Sequence, residues 1–380
     1  MNKLLVGIII GLFLLSYTHV KAGDKFTVTP TGKILIDGGY LGSRNDKLTS
    51  GVAIPDLRIG AKFSYGKYKA KLDIGYAYSK ISLKDVFVER QFSSSSLLRI
   101  GHFVHQFGLQ SSTSSSMKIT MEEPASNEAF FNSRLVGAMY VFDKNEYFAT
   151  GSVFAENEIM KKSSNETGNQ GYGLMSRLVY RPFRENLTLF HIGISGAFEK
   201  PRYNGNETLN HNSFILGSNF PTRIAKVKAI EATVTDAKQL YKFSPELLLG
   251  YGPVALETQY YYVNIDRKNN LKSYKASGAY AIVRGLIKGG NYKYSTSDSG
   301  ITTPGGGSLE CAVSYNYSDM SDNKVDLRGG RLNDVALTFN YYINKYMIWR
   351  LRYSYTHVTD RTGIDDQTLN AIQTRFQVIF

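Results

Sequence analysis

Eight basic side chains, Arg58, Lys62, Lys69, Lys71, Arg177, Arg350, Arg352 and Arg375, alternate with apolar or small residues rather than clustering together. Spaced this way they suit holding or guiding anions without any covalent step. A second polar feature is Ser111 to Ser116, five serines and one threonine followed by Lys118. Hydroxyls and a base at this spacing can replace part of an ion's water shell. Groups suited to covalent or metal chemistry are poorly placed. His102 and His105 are three residues apart with no Cys or carboxylate at metal-ligand spacing. Glu122 and Glu123 are adjacent and would point apart in an extended segment, and Gly305–Gly307 lacks the Lys-Ser/Thr of a phosphate loop. The single cysteine, Cys311, excludes an intramolecular disulfide and a Cys-cluster zinc site. No enzyme, cofactor or resident metal is expected. Interleaved charge on an exported chain also argues against nucleic acid as a partner.

The elements that must carry these bases have a period of two. Leu57, Ile59, Ala61, Phe63 and Tyr65 alternate with Arg58, Gly60, Lys62 and Ser64, and Gly66-Lys67 turns the chain into a second alternating run carrying Lys69, Lys71 and Asp73. Near the C-terminus Met347, Trp349, Leu351, Tyr353 and Tyr355 oppose Ile348, Arg350, Arg352, Ser354 and Thr356. Further strands are expected at 173–180, 187–198, 245–251, 254–263, 275–283 and 309–317. Each is about 9–11 residues, enough for a tilted strand to cross a bilayer, and Tyr residues flank the turns like an interfacial girdle. If the apolar faces meet lipid, the bases face inward with Asp73, Glu257 and Asp85. The opposite assignment costs about 2–4 kcal/mol for each Arg or Lys at the midplane.

Lys3, the apolar stretch Leu4 to Leu15 and the small-x-small site Val20-Lys21-Ala22 predict a cleaved signal peptide at residues 1–22. The formal net charge of +13 falls to +11 without Lys3 and Lys21. No later apolar run approaches the 18 residues of a spanning helix. Residues 23–380 therefore read as one all-β domain, a transmembrane antiparallel β-barrel in the outer membrane of a Gram-negative bacterium. About 358 residues over 16 strands leaves roughly 22 per strand and connection, so about 16 strands (14–18) are expected. Gly252-Pro253 is a short turn, whereas 161–170, 203–242 and 296–307 read as long loops at the opposite end. Phe380 ends an alternating strand and resembles the terminal signature by which the barrel insertion machinery recognises its clients.

Four stretches carry a family resemblance. They are Asp56-Leu-Arg-Ile-Gly60 through Leu98-Arg-Ile-Gly-His-Phe103, Phe107-Gly-Leu109 and Ile119-Thr-Met-Glu122; 173–182 with His191-Ile-Gly-Ile194; Tyr251-Gly-Pro-Val-Ala-Leu256; and Gly329-Gly-Arg-Leu-Asn-Asp-Val335 with the hairpin after it. Together they resemble the phosphate-selective porins O and P. The resemblance implies a barrel with an inward-folded constriction loop, here 107–134, in which bases and hydroxyls hold an anion with an acid nearby. It places Arg58 on the second-strand arginine, Asp85 on the acid, and Ser114, Ser115 and Ser116 with Lys118 on the loop. Where family members carry further arginines before Arg58, this chain has Pro55 and Asp56. Taken alone, the polar run also suits a solvated surface loop, and its acids Glu122, Glu123 and Glu128 suit pairing with wall arginines.

The reading that follows is a passive diffusion channel for small hydrophilic solutes, preferring anions such as phosphate. Its lining would be Arg58, Lys62, Lys69, Lys71, Asp85, Ser114–Ser116, Lys118, Arg350 and Arg352. Expected partners are small anions, outer-membrane lipid and the insertion machinery, with a homotrimer implied by the resemblance. The alternative is an outer-membrane barrel that scaffolds a surface or secretion assembly with a plugged lumen. A secreted sandwich binding saccharide through its tyrosines is a third reading.

Overall fold

The computed structural model describes residues 25–380, apart from 115, 132–133, 157–159, 161–162, 185–186, 202–211 and 296–298. The expected signal peptide and Ser115 lie outside the described residues. The wall begins with β1 Thr27–Ser43, β2 Gly51–Tyr65, β3 Tyr68–Ala77, β4 Lys80–Ser93, β5 Ser96–Val104, β6 Arg134–Lys144, β7 Tyr147–Ala155, β8 Tyr172–Phe183 and β9 Thr188–Lys200. A hairpin of β10 Phe214–Asn219 and β11 Lys228–Val234 intervenes before β12 Ala237–Tyr251, β13 Val254–Arg267 and β14 Tyr274–Lys288. A smaller hairpin, β15 Tyr294–Ser295 with β16 Gly300–Ile301, precedes β17 Ser308–Asp322, β18 Leu327–Tyr342, β19 Met347–Arg361 and β20 Gln367–Ile379.

Without the two hairpins, the strands form one closed antiparallel barrel of 16, each paired with the next and β1 with β20. The seam runs from Lys33 opposite Ile379 to Ser43 opposite Leu369, so the wall has no open edge. The alternation decides which side meets lipid. On β19, Trp349, Leu351, Tyr353 and Tyr355 are 37–49% exposed outward, while Arg350 and Arg352 between them are 1% exposed within the barrel. At the tightest turns Gly66, Asn145 and Gly252 have φ of 53°, 50° and 56°, the left-handed backbone that closes two-residue hairpins in register with the strand twist.

Two expectations about the loops are corrected. The connection containing 296–307 joins β14 to β17 at the same end as the short turns 66–67, 252–253 and 343–346, not among the long loops opposite them. Its described residues turn back into the barrel, where Tyr292 and Ser299 are buried. The span 203–242, expected as one polar loop, holds β10, β11 and the start of β12. Ile230, Ala232 and Val234 of β11 join a buried cluster with Leu332 of β18 and Val358 of β19. Apolar surface on this hairpin is withdrawn from water by the wall's inner face, which is why the segment folds inward.

Candidate pore lining

The inward-folded loop between β5 and β6 is built from the serine run outward. Ser111 Oγ accepts from the Phe107 amide at 2.7 Å and donates to the Gly108 carbonyl at 2.9 Å, closing the one-turn helix Leu109–Ser112. Lys118 then reaches back to the Gln110 carbonyl at 2.5 Å. A second short helix, Ala125–Phe130, lies on the far wall: Tyr261 of β13 donates to Asn127 at 2.7 Å and Asn316 of β17 donates to Ser126 at 3.1 Å. The wall arginines grip the loop backbone. Arg350 donates to the Lys118 and Ser116 carbonyls at 2.7 and 2.9 Å, and Gln377 donates to the Ser116 carbonyl at 2.8 Å. Arg375 donates to the Met121 carbonyl at 2.5 Å, to Glu122 at 2.7 Å and to Asp37 through two 2.6 Å bonds.

A cavity of about 880 Å³ remains between this loop and the wall. It is lined by Lys33, Arg58, Lys62, Lys71, Arg99, Lys118, Arg134, Arg284 and Arg350, nine bases, against five acids, Asp73, Asp85, Glu123, Glu128 and Glu257. Ser114 and Ser116 add hydroxyls, and the inward connection after β14 contributes residues 300–304. Most of the bases are paired. Arg58 forms two 2.8 Å bonds to Asp56, which Lys33 also approaches at 3.1 Å. Asp85 sits between Lys71 at 2.8 Å and Arg134 at 2.6 Å, and Lys71 also meets Asp73 at 2.7 Å. Arg284 pairs with Glu310 at 2.6 Å. Lys62 lines the cavity with no ion-pair or hydrogen-bond partner among the described residues. Burial pulls the Lys118 ammonium below the ordinary lysine range, opposed by Glu123 and Glu257.

The cavity therefore gathers Arg58, Lys62, Lys71, Asp85, Ser114, Ser116, Lys118 and Arg350 of the expected set. Two members are elsewhere. Lys69 stands near the short-turn end, opposite Ser64 and Glu89, and does not line the cavity. Arg352 is buried against Asp334 at 2.9 Å, Ser354 at 2.8 Å and the Pro221 carbonyl at 3.0 Å, so its guanidinium fastens the turn between β10 and β11 to the wall. Arg350 lines the cavity but is 1% exposed and spends its donors on the loop. Sequence reasoning missed Lys33, Arg99, Arg134 and Arg284. β1 carries Pro30, Gly32 and a register shift between Leu35 and Asp37 that break its period. Arg99 stood in a quoted motif with the right alternation, Arg134 opens β6 directly after the loop, and Arg284 lies one residue beyond the expected strand end.

A closed wall with an apolar outer band and a narrowed polar interior defines the class as a bacterial outer-membrane porin, a channel protein. The chain belongs to the phosphate-selective porin O and P family, whose model matches residues 44–380. No curated protein matches the sequence. Among solved structures, an anion-selective porin from Comamonas acidovorans is similar at 10% identity, with 94% of this chain and 100% of that one covered and a TM-score of 0.57. In vitro folded OmpT of Vibrio cholerae, in its trimer form, is similar at 12% identity, 94% and 100% coverage and a TM-score of 0.56. OmpF of Salmonella typhi in complex with daunomycin follows at 12% identity, 93% and 98% coverage and 0.57. At these identities the likeness is one of fold.

Proposed function

We propose that this porin passes small hydrophilic solutes by diffusion and prefers anions, phosphate among them. The observation that carries the reading is the cavity lining, nine bases against five acids at the narrowed part of the barrel. A wall of one excess sign raises the local concentration of the opposite ion over roughly the 8 Å Debye length at physiological salt. Lys62 supplies charge that has no partner among the described residues, Arg58 and Lys71 supply charge shared with Asp56 and Asp85, and Ser114 and Ser116 with Lys118 supply hydroxyls and a further base. Membership of the porin family supports action as a channel. The anion selectivity of the Comamonas porin supports the same preference here. The trimer form of the Vibrio protein supports a homotrimer. Export by the 1–22 signal peptide and insertion through the Phe380 strand complete the proposal.

The inward helices Leu109–Ser112 and Ala125–Phe130, the β10–β11 hairpin and the described part of the β14–β17 connection favour the alternative of a plugged scaffold, and conductance separates the two. Purified protein in planar bilayers is expected to give ohmic single channels that phosphate, sulfate or pyrophosphate blocks in a concentration-dependent way. Arg58→Ala and Lys118→Ala weaken the block. The absence of channels overturns the diffusion reading, and block that is indifferent to both substitutions overturns the assignment of the site.

A further inference from the structure

A smaller cavity of about 270 Å³ adjoins the first and is lined by Tyr78, Glu122, Glu123, Glu128, Asn219, Arg223 and Lys226, among others. Glu123 and Glu128 are the residues common to both linings. The boundary between the two spaces is therefore acidic, although the larger one is lined by an excess of bases. The third loop acid is neutralised: Glu122 meets Arg375 at 2.7 Å and Arg223 at 3.1 Å. Glu128 instead accepts from the Asn219 amide at 2.6 Å, with no ion pair among the described residues. Glu123 accepts from the Asn127 amide and has Lys118 at 3.8 Å, a loose pair.

We infer that Glu123 and Glu128 form an acidic rim that limits the anion preference of the pore at the passage between its two cavities. This inference rests on the reading of the chain as a diffusion channel. An anion leaving the basic cavity meets two carboxylates at close range, where a like charge is disfavoured, while a cation is admitted more readily than the basic wall alone would allow. The titratable and charged groups that face the rim are Glu122 on the same loop, the neutral phenol of Tyr78 from the β3–β4 turn, Arg223 and Lys226 from the connection after β10, Lys228 of β11, and Lys118 and Arg134 on the side of the large cavity. Burial, reinforced by Glu123, raises the Glu128 carboxyl to about 7. It loses its proton as pH rises through that value, so the rim gains negative charge on the alkaline side.

Glutamine keeps the oxygen that accepts from Asn127 or Asn219 and removes only the charge, which makes Glu123→Gln/Glu128→Gln the informative variant. Reversal potentials in a KCl gradient at low ionic strength are expected to show an anion-to-cation permeability ratio at least about twofold above wild type. Glu123→Asp/Glu128→Asp keeps the charge and is expected to stay near wild type. Acidification from about two pH units above the Glu128 value to about two below it is expected to raise the wild-type ratio, and Glu128→Gln to flatten this response. An unchanged ratio in the glutamine variant, an equal shift in the aspartate variant, or a wild-type ratio independent of pH overturns the inference. Failure of the underlying reading looks different: wild type then shows no channel or prefers cations, whatever the glutamine variant does.

Discussion

At the residue scale, pairing decides which bases are available to a solute. Arg58 and Lys33 share Asp56, and Lys71 and Arg134 share Asp85, so each group presents less charge than its number of bases suggests. Lys62 has no such partner among the described residues. Replacing it by Ala breaks no pair, so thermal stability is expected to stay within about 0.5 kcal/mol of wild type, while the anion-to-cation permeability ratio falls. A stability loss of several kcal/mol, or an unchanged ratio, contradicts this role. Lys62 was legible in the sequence because its strand alternates without interruption. Asp56 was visible only as a departure from the family pattern. Its consequence, two bases held by one carboxylate, depends on β1 lying beside β2, and the irregular period of β1 hides that pairing.

The loops explain why a wide barrel is narrow inside. Arg350 and Arg375 fasten residues 116–122 to β19 and β20, and Arg352 fastens the Pro221 turn. Arg350→Met fills similar volume but leaves the Ser116 and Lys118 carbonyls without this donor. The Ser116 carbonyl keeps Gln377 and the Lys118 carbonyl keeps the Met121 amide, so the expected cost is that of the lost charge-assisted hydrogen bonds, about 1.5–3 kcal/mol, read as a lower temperature for the heat-induced shift in gel mobility. Conductance is expected to rise as the loop loosens. Unchanged heat stability and conductance together contradict the anchoring role. The strands and short turns were legible because alternation and residues such as Gly66 act locally. The inward course of β10–β11 and of the described part of the β14–β17 connection was not, because it is set by contacts across the lumen: Ile230 with the wall cluster, and Ser299, which accepts from Arg181 at 2.7 Å through its hydroxyl and from Arg177 at 3.2 Å through its carbonyl.

For the whole molecule, the formal charge of +13 is distributed rather than displayed. The outer band is apolar, many of the interior bases sit beside carboxylates, and bases outnumber acids in the lining of the larger cavity. The barrel, its approximate strand number and its inward-folded loop could be read from period, length and family resemblance. The balance of charge at the narrowing could not, since it depends on which acids fold opposite which bases. A preference set by fixed charges weakens as salt shortens the Debye length from about 30 Å at 0.01 M to about 3 Å at 1 M. The most direct test is the reversal potential of wild-type channels across a KCl gradient, repeated as total salt is raised between those limits. The sign is expected to report anion preference at low salt, shrinking toward zero as salt rises. A cation-selective sign at low salt would contradict the assignment of the basic cavity as the selective element.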